Sequence, residues 1–351
     1  MKILPNNSSL IYSGRIDLSD PFAIVWTYPG TFVRIKFKGT QLFIHVRNKH
    51  NYWNNYLGVV EGDAQTKLLL PKEGEATIEI PLKTTQDNIH EVTIFKRQDA
   101  CHELTILGFE INCNTDEECE LLEASPLPPR RIEVYGDSVS AGEVSEAVDY
   151  VAKVDPEHNG EYSNSWYSYA WIAARKLDAQ LHDIAQGGVA LLDNTGWYHE
   201  PDYIGMEQVW NKMRYNPDYG TVKEWDFSKY TPDIVIVAIG QNDSHPDDYM
   251  KTDYECEKAK NWRTHYRQFL AKLRETYPDA WIICCTTLLQ HDIGWDMSIS
   301  QAVLDIADKK ISHCVFQRNG KATPGHLRIP EAEEMAEELC HYIHSLNIEG
   351  Y

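Results

Sequence analysis

The stretch IEVYGDSVS (132–140) decides the fold class of the second half of the chain. It reads as a short apolar run, typical of a buried strand, that ends in a glycine and polar residues. Four similar runs follow it, and amphipathic segments lie between them. This alternation predicts a parallel sheet with helices on both faces. The four runs are LHDIAQGG (181–188), DIVIVAIG (233–240), WIICCTTLL (281–289) and HCVFQ (313–317).

Two of the amphipathic segments have the apolar spacing of a helix that packs one face on a core. They predict one helix through 262–277 and a second through 332–346, near the C-terminus. The two stripes consist of Trp262, Tyr266, Phe269, Leu270, Leu273 and Tyr277, and of Ala332, Met335, Ala336, Leu339, Ile343 and Leu346. Residues 131–351 are therefore predicted to form one α/β domain.

The first half of the chain has a different period. Short runs that alternate apolar with polar residues recur about every ten residues, which predicts an antiparallel β-sandwich over residues 1–112. The segment CNTDEECELLEASPLPPR (113–130) carries an acidic run and three prolines, and we predict a linker there. The seven strand-like runs are 31–39, 41–48, 56–62, 66–70, 75–82, 90–97 and 103–111.

The composition of the 351-residue chain restricts its partners. Asp and Glu total 53 against 33 Lys and Arg, which gives a formal net charge of −20. Such a body repels phosphate backbones and anionic lipids, so we expect neither nucleic acid nor a membrane as a partner. The N-terminal MKILPNNSSL lacks the apolar core of a signal peptide, and no apolar stretch reaches spanning length. Both observations predict a soluble, cytoplasmic protein.

The eight cysteines carry no metal signature. No CxxC occurs and no His/Cys cluster has zinc spacing, so we expect neither metal nor cofactor. Cys284 and Cys285 fall inside an apolar run, and we predict reduced thiols throughout, with a Cys113–Cys119 disulfide as the alternative.

The loops that follow the predicted strands carry the residues able to do chemistry. Ser138, Gly187-Gly188 and Asn242 follow the first three strands, and His326 precedes the last helix. Because parallel strands end at one edge of their sheet, these loops are predicted to converge. A hydroxyl, an imidazole, an amide and free backbone N–H groups are the groups that acyl transfer requires.

The sequence resembles the SGNH, or GDSL-type, hydrolases in its blocks GDS (136–138), GQND (240–243) and a late His326. His326 also precedes Met335-Ala336 by the nine residues common in that family. The stretch GRIDLSDPFAIVWTYPGTFVRIKFKGTQLFIHV (14–46) is similar to the sandwich of carbohydrate esterase family 2. The resemblance implies a flavodoxin-like, three-layer α/β/α domain preceded by a jelly-roll sandwich.

The resemblance also implies roles for individual residues. Ser138 would be the nucleophile and His326 the general base. The oxyanion hole would consist of the Ser138 N–H, the Gly188 N–H and the Asn242 amide, with Gly187 as a competitor of Gly188. Asp137 and Asp243 would be structural, and we expect His245 to be solvated.

One departure concerns the partner of His326. Many SGNH enzymes place an Asp three residues before the His, where this chain has Thr323. We therefore predict a Ser–His dyad, as in some family 2 members, with a main-chain carbonyl that orients His326. Thr323, Asp292 and Asp296 remain alternatives.

Aromatic residues near the predicted edge suit a sugar substrate, because sugar C–H faces stack on aromatic planes. Trp295 is the first choice for that contact and Trp197 the second. The resemblance implies a serine esterase that removes O-acetyl groups from xylo-, gluco- or manno-configured oligosaccharides. The alternatives are a general short-chain esterase or thioesterase and a non-catalytic carbohydrate-binding protein. A homo-oligomer remains an alternative, because an edge strand of the sandwich can pair with a second copy of the chain.

Overall fold

The N-terminal part of the chain folds as two antiparallel sheets that share one hydrophobic core. The computed structural model describes residues 1–114, 119–220, 222–321 and 323–351. The strands of this part are β1 (Lys2–Ile3), β2 (Ile11–Ser13), β3 (Ile16–Asp17), β4 (Ile24–Trp26), β5 (Phe32–Lys38), β6 (Gln41–Lys49), β7 (Tyr56–Glu61), β8 (Ala64–Leu69), β9 (Glu73–Ile80), β10 (Ile89–Lys96), β11 (Glu103–Asn112) and β12 (Glu120–Leu122). One sheet has the order β3-β4-β11-β6-β9 with β1 beside β11, and the other has the order β12-β5-β10-β7-β8 with β2 beside β5.

Strand β5 illustrates why these segments form a sandwich. Val33, Ile35 and Phe37 are fully buried, whereas Arg34 and Lys36 between them are partly exposed. One face of the strand therefore packs on the core and the other meets water. Each of the seven predicted runs overlaps one of the strands β5–β11, so the predicted antiparallel structure is confirmed.

The predicted linker is partly a strand. β12 lies within the segment predicted as a linker, pairs with β5 and extends that sheet. Residues 115–118 of the linker lie outside the described residues. The return of the chain into β12 brings the Cα atoms of Cys113 and Cys119 to 5.7 Å, and their sulfurs are bonded. The prediction of reduced thiols is wrong for this pair, while the other six cysteines are free.

The second part of the chain contains a five-stranded parallel sheet. Its strands, with a separate hairpin of β15 and β16, are β13 (Arg130–Gly136), β14 (Ala179–Ala185), β15 (Lys212–Arg214), β16 (Lys223–Glu224), β17 (Ile234–Ala238), β18 (Trp281–Cys284) and β19 (Ile311–His313). The order β14-β13-β17-β18-β19 corresponds to 2-1-3-4-5 in chain order, which is the flavodoxin-like arrangement. Its topological switch point lies between β13 and β17.

Helices cover both faces of the parallel sheet. They are α1 (Tyr169–Lys176), α2 (Met206–Val209), α3 (Tyr249–Thr252), α4 (Glu257–Thr276), α5 (Ile293–Ile306) and α6 (Ile329–Ser345). Helices α1 and α6 share one core cluster with Val134 of β13, and α4 and α5 share the other with Tyr135. Neighbouring residues of a buried strand thus face opposite layers, so the predicted three-layer fold and both predicted stripes are confirmed. No helix in the described ranges is long and apolar enough to cross a membrane.

A buried ion pair joins the two parts of the molecule. Arg15 lies between β2 and β3, and its Nη2 is 3.0 Å from Glu133 Oε1 on β13. The same nitrogen donates to the Tyr135 hydroxyl at 2.8 Å. Because burial of an unpaired charge is costly, Arg15 and Glu133 each depend on the other part of the chain for a partner.

Candidate active site

A cavity of about 500 Å³ lies where β13, β14 and β17 end. Ser138, Gly188 and Asn242 line it, and each follows one of these strands. His326 lines it from the loop before α6. The predicted convergence of these loops at one edge of the sheet is therefore confirmed.

Ser138 and His326 lie within hydrogen-bonding distance. The Ser138 Oγ–H faces His326 Nε2 at 2.8 Å, so Nε2 can accept the proton of this hydroxyl. Ser138 sits in a tight turn, in which the Glu143 N–H donates to the Ser138 carbonyl at 2.9 Å. The turn fixes the serine at the cavity wall, where it is 5% exposed.

A carboxylate holds the other side of the imidazole. Asp155 Oδ2 lies 2.5 Å from His326 Nδ1, and Asp155 Oδ1 accepts the His326 backbone N–H at 2.9 Å. Arg328 fixes the same carboxylate through a 2.9 Å contact. A Cβ at Gly325 would collide with Asp155, so the glycine before the histidine permits this approach.

The predicted Ser–His dyad with a main-chain carbonyl is thus wrong, because Asp155 occupies Nδ1. The three alternatives are engaged elsewhere. The Thr323 hydroxyl donates to the Lys153 carbonyl at 3.2 Å, and Asp292 accepts the Gly294 N–H at the start of α5. Asp296 pairs with His291 at 2.9 Å.

The charges around His326 favour its protonated form. Burial alone would lower the pKa of His326, but the carboxylates of Glu143 and Asp155 outweigh burial and raise it to about 9. Burial would raise the pKa of Asp155, but its hydrogen bonds from His326 hold that pKa at about 2. Asp155 is therefore ionised at neutral pH and stabilises the imidazolium that forms when Ser138 loses its proton.

Two backbone N–H groups are free to bind an oxyanion. No acceptor among the described residues takes the N–H of Ser138 or of Gly188. The Gly187 N–H donates to Asp99 Oδ2 at 2.7 Å, which favours Gly188 over Gly187 in this role. Gly188 has a φ of +74°, and a Cβ there would lie 2.8 Å from the Cβ of Trp197. Glycine is required at this position on both grounds.

Asn242 is held by two acceptors. Its Nδ2 donates to the Val189 carbonyl at 3.0 Å and to Asp137 Oδ2 at 3.1 Å. Donation to an oxyanion requires Asn242 to share one of these hydrogens. Asp137 also accepts the Val139 N–H at 3.0 Å, and buried Asp243 accepts the Leu191 N–H at 2.8 Å. Both aspartates order loops, as predicted.

Comparison with known proteins shows that the chain is similar to one group of esterases over most of its length. Residues 12–117 match the family described as Carbohydrate esterase 2 N-terminal. The cellulase/esterase CelE of Acetivibrio thermocellus is 28% identical over 345 residues, or 95% of this chain. A family two carbohydrate esterase from Clostridium thermocellum, solved in complex with cellohexaose, superimposes with a TM-score of 0.79 at 25% identity, covering 96% of this chain and 98% of that chain.

The chain is similar to carbohydrate esterases of family 2. Its named relatives are esterases, which are carboxylic ester hydrolases. The acetylxylan esterase / glucomannan deacetylase of Cellvibrio japonicus is 28% identical over 281 residues, which are 77% of this chain and 69% of that protein. The alignment with CelE covers 39% of the length of CelE, so this chain spans less than half of that relative.

The positions of two aromatic residues differ from the prediction. Trp295 is fully buried on α5, its ring 5.4 Å from that of Trp262, so its predicted contact with substrate is wrong. Trp197 is 60% exposed and lines the cavity. Its ring stacks on His245, with centroids 3.4 Å apart. His245 is thus a half-buried support for Trp197 and not the solvated residue that was predicted.

The sequence interpretation missed several residues of the cavity. The sandwich contributes Tyr52 and Trp53 from the β6–β7 loop and Asp99 from the β10–β11 loop. Glu143 and Asp155 come from the long segment between β13 and α1. The sequence did contain one indication of Glu143 and Asp155, because several acidic residues lie in the long segment that begins at Ser138.

One group of side chains near the cavity has the composition of a metal site. Ligand atoms of Asp99, Cys101 and His102 lie within 4.8 Å of one another. The Asn51 N–H already donates to His102 Nδ1 at 3.1 Å, and buried Lys96 donates to the Asp99 carbonyl. A neighbouring ammonium and an occupied imidazole do not fit a cation. The expectation of no metal stays a prediction.

Proposed function

We propose that the chain is a serine esterase that removes O-acetyl groups from xylo-, gluco- or manno-configured oligosaccharides. The observation that carries the proposal is the hydrogen-bonded series Ser138–His326–Asp155 at the wall of a cavity. A nucleophile, a base and a carboxylate in this order are the groups that serine ester hydrolysis uses.

In the first step, Ser138 Oγ attacks the acetyl carbonyl carbon and its proton moves to His326 Nε2. The oxyanion accepts hydrogen bonds from the N–H groups of Ser138 and Gly188 and from the Asn242 amide. The sugar oxygen then leaves with the proton from Nε2, and the acetyl group stays on Ser138. Water attacks this acyl-enzyme in the same manner and releases acetate.

The substrate class rests on the cavity and on the named relatives. Asp99, Glu143 and Asp155 line the cavity, so anionic substrates are disfavoured and neutral sugars are not. Trp53 and Trp197 offer planes on which sugar rings stack. One relative is named acetylxylan esterase / glucomannan deacetylase, and another binds cellohexaose, which supports a sugar ester as substrate.

We further propose a division of roles along the chain. Residues 131–351 carry the reacting groups, and residues 1–112 form an accessory sandwich that shapes one side of the cavity. We assign this sandwich to the jelly-roll type. The strand orders β4-β11-β6-β9 and β5-β10-β7-β8 support that assignment, since β4 to β7 alternate between the two sheets.

The test compares wild type with Ser138→Ala on 4-nitrophenyl acetate, butyrate and octanoate. We expect fast acetate cleavage that falls with acyl length and drops by about 10⁴-fold or more in the variant. Acetate release from acetylated xylo-, gluco- and manno-oligosaccharides then identifies the sugar. Activity that survives the substitution would place the nucleophile elsewhere. An inactive wild type that still binds these sugars would favour a binding protein.

A further inference from the structure

A second carboxylate faces the catalytic histidine. Glu143 Oε2 lies 3.7 Å from His326 Nε2, the nitrogen that also faces Ser138 Oγ at 2.8 Å. The Glu143 side chain lines the active-site cavity and is 12% exposed. It lies five residues after Ser138, and its backbone N–H is tied to the Ser138 carbonyl. Its position is thus fixed relative to both reacting side chains.

In the part of the chain that the structure describes, no hydrogen bond accounts for the buried position of the Glu143 carboxylate. Within the described residues, no donor lies within hydrogen-bonding distance of its oxygens, and the 3.7 Å separation from Nε2 exceeds a hydrogen bond. Burial raises the pKa of Glu143 to about 7, against the attraction of His326. A mostly buried carboxylate without a donor is costly unless something else binds it.

Asp99 provides a contrast on the same wall of the cavity. Its carboxylate accepts the N–H of Gly187 at 2.7 Å and the side-chain amide of Gln186 at 2.9 Å. Asp99 therefore has a structural role that accounts for its burial, and Glu143 has none. At 3.7 Å, Glu143 Oε2 is too far from His326 Nε2 for a direct hydrogen bond, and a water molecule beside the pair can contact both atoms.

We propose that Glu143 holds the water molecule that attacks the acyl-enzyme. The proposal rests on the function proposed above, and it assigns a role in its second step. The carboxylate accepts one hydrogen of the water, which leaves the other hydrogen directed at His326 Nε2. The water oxygen then attacks the acetyl carbon, and Nε2 takes the proton. The new C–O bond replaces the bond to Ser138 Oγ, which leaves with that proton as acetate forms.

Glu143 is neither consumed nor protonated in this step, so it acts by positioning a reacting atom. Formation of the acyl-enzyme from a 4-nitrophenyl ester makes no use of it, because nitrophenolate leaves without needing a proton. Release of the acetyl group to water depends on it. The two steps of one enzyme therefore respond differently to its loss.

The experiment measures both steps of 4-nitrophenyl acetate hydrolysis by stopped flow in wild type, Glu143→Gln and Glu143→Asp. The burst gives the acylation rate and the steady state gives the deacylation rate. Loss of the Glu143 charge also lowers the pKa of His326, but both steps use His326 as base, so the ratio of the two rates cancels that change. Exposed Glu333→Gln on α6 serves as the control for loss of one carboxylate.

We expect Glu143→Gln to raise the ratio of acylation to deacylation by about tenfold, the value of one hydrogen bond to a charged group. Acetyl-enzyme then accumulates and is visible by intact mass spectrometry. Glu143→Asp falls between Gln and wild type, and Glu333→Gln behaves as wild type. Hydroxylamine, a stronger nucleophile, restores turnover of Glu143→Gln.

A ratio that stays within about twofold of wild type, or equal losses in both steps, would overturn the role of Glu143. Failure of the proposed esterase function has a different signature. In that case Ser138→Ala retains the wild-type hydrolysis, or wild type gives neither a burst nor turnover of 4-nitrophenyl acetate, whatever residue stands at position 143.

Discussion

The parallel sheet places Ser138 and Asn242 in the cavity directly after adjacent strands, whereas the sandwich reaches the same cavity through loops that carry Tyr52, Trp53 and Asp99. The first region supplies the atoms proposed to react. The second supplies aromatic surface and one carboxylate. The difference shows that the sandwich takes part in building the site, although the proposed chemistry lies in the other region.

Asp99 connects the two regions at the proposed oxyanion hole. Its carboxylate, on the sandwich, accepts the Gly187 N–H of the parallel-sheet region, next to the proposed donor Gly188. Buried Lys96 donates to the carbonyls of Gln98 and Asp99 and so fixes the loop that carries this carboxylate. The position of Gly188 therefore depends partly on the sandwich.

The largest effect is expected within the parallel-sheet region, for Asp155→Asn. An amide at His326 Nδ1 can donate to it and so favours the tautomer whose Nε2 carries a proton and cannot act as base. We expect kcat/KM for 4-nitrophenyl acetate to fall by about 10²–10⁴-fold. Because Asp155 helps to raise the pKa of His326 to about 9, the pH at which activity rises should also move downward in the variant.

Exposed Asp149→Asn, on the same long segment, is the matched control and should retain wild-type activity. A wild-type rate and pH profile in Asp155→Asn would mean that the carboxylate contributes nothing to His326. The dyad predicted from the sequence would then describe the chemistry better than the triad.

The sequence predicted the site residues that directly follow strands and missed Asp155, which lies in a long irregular segment. Ser138, Gly188 and Asn242 were placed correctly because the ends of parallel strands meet at one edge. Asp155 lies 171 residues before His326 in the chain, in a segment without regular period, and nothing local marks their contact. Long-range pairing of this kind depends on loop packing, which a periodicity does not encode.

Trp295 was misplaced for a different reason. It was expected near the edge of the sheet, but its surroundings, HDIGWDMS (291–298), contain the start of α5 at Ile293. Trp295, Ile299 and Ala302 are all buried and follow the i, i+4, i+7 spacing of a helix face. That pattern was available in the sequence, so this error was avoidable. The cavity loops of the sandwich were not predictable. The alternation of apolar and polar residues shows which face of a strand is buried, but it does not show where the loops between strands lie.

A smaller effect is expected at the junction of the two regions, for Asp99→Ala. Loss of the acceptor frees the Gly187 N–H and loosens the strand end that carries Gly188. A hydrogen bond to a charged acceptor corresponds to about 10- to 100-fold in kcat. Asp99→Asn retains an acceptor oxygen and should recover part of the rate.

Exposed Asp63→Asn, also on the sandwich, controls for the change in charge. The measurement is kcat for 4-nitrophenyl acetate, with the melting temperature of each variant recorded in parallel. Full activity in Asp99→Ala would separate the sandwich from the oxyanion hole and leave it as a wall of the cavity.

The smallest effect is expected for Trp53→Ala, which changes the wall of the cavity and leaves the reacting groups intact. The Trp53 ring packs on His158 at 4.9 Å, so one contact supports the plane that faces the cavity. If a sugar ring stacks on Trp53, loss of the Trp53 ring lowers kcat/KM for an acetylated oligosaccharide by about two- to tenfold. This range corresponds to about 0.5–1.5 kcal/mol for one stacked pair. Hydrolysis of 4-nitrophenyl acetate, which has no sugar, should not change.

Phe22→Ala is the matched control for Trp53→Ala, because Phe22 is an exposed aromatic on the same sandwich outside the cavity lining. It should alter neither substrate. Equal losses on the sugar ester and the nitrophenyl ester in Trp53→Ala would indicate a disturbed fold in place of a lost contact. A loss confined to the sugar ester would mean that Trp53 affects binding of the sugar and leaves the Ser138–His326 pair undisturbed. Substrate recognition would then belong to the sandwich, and ester cleavage to the parallel-sheet region.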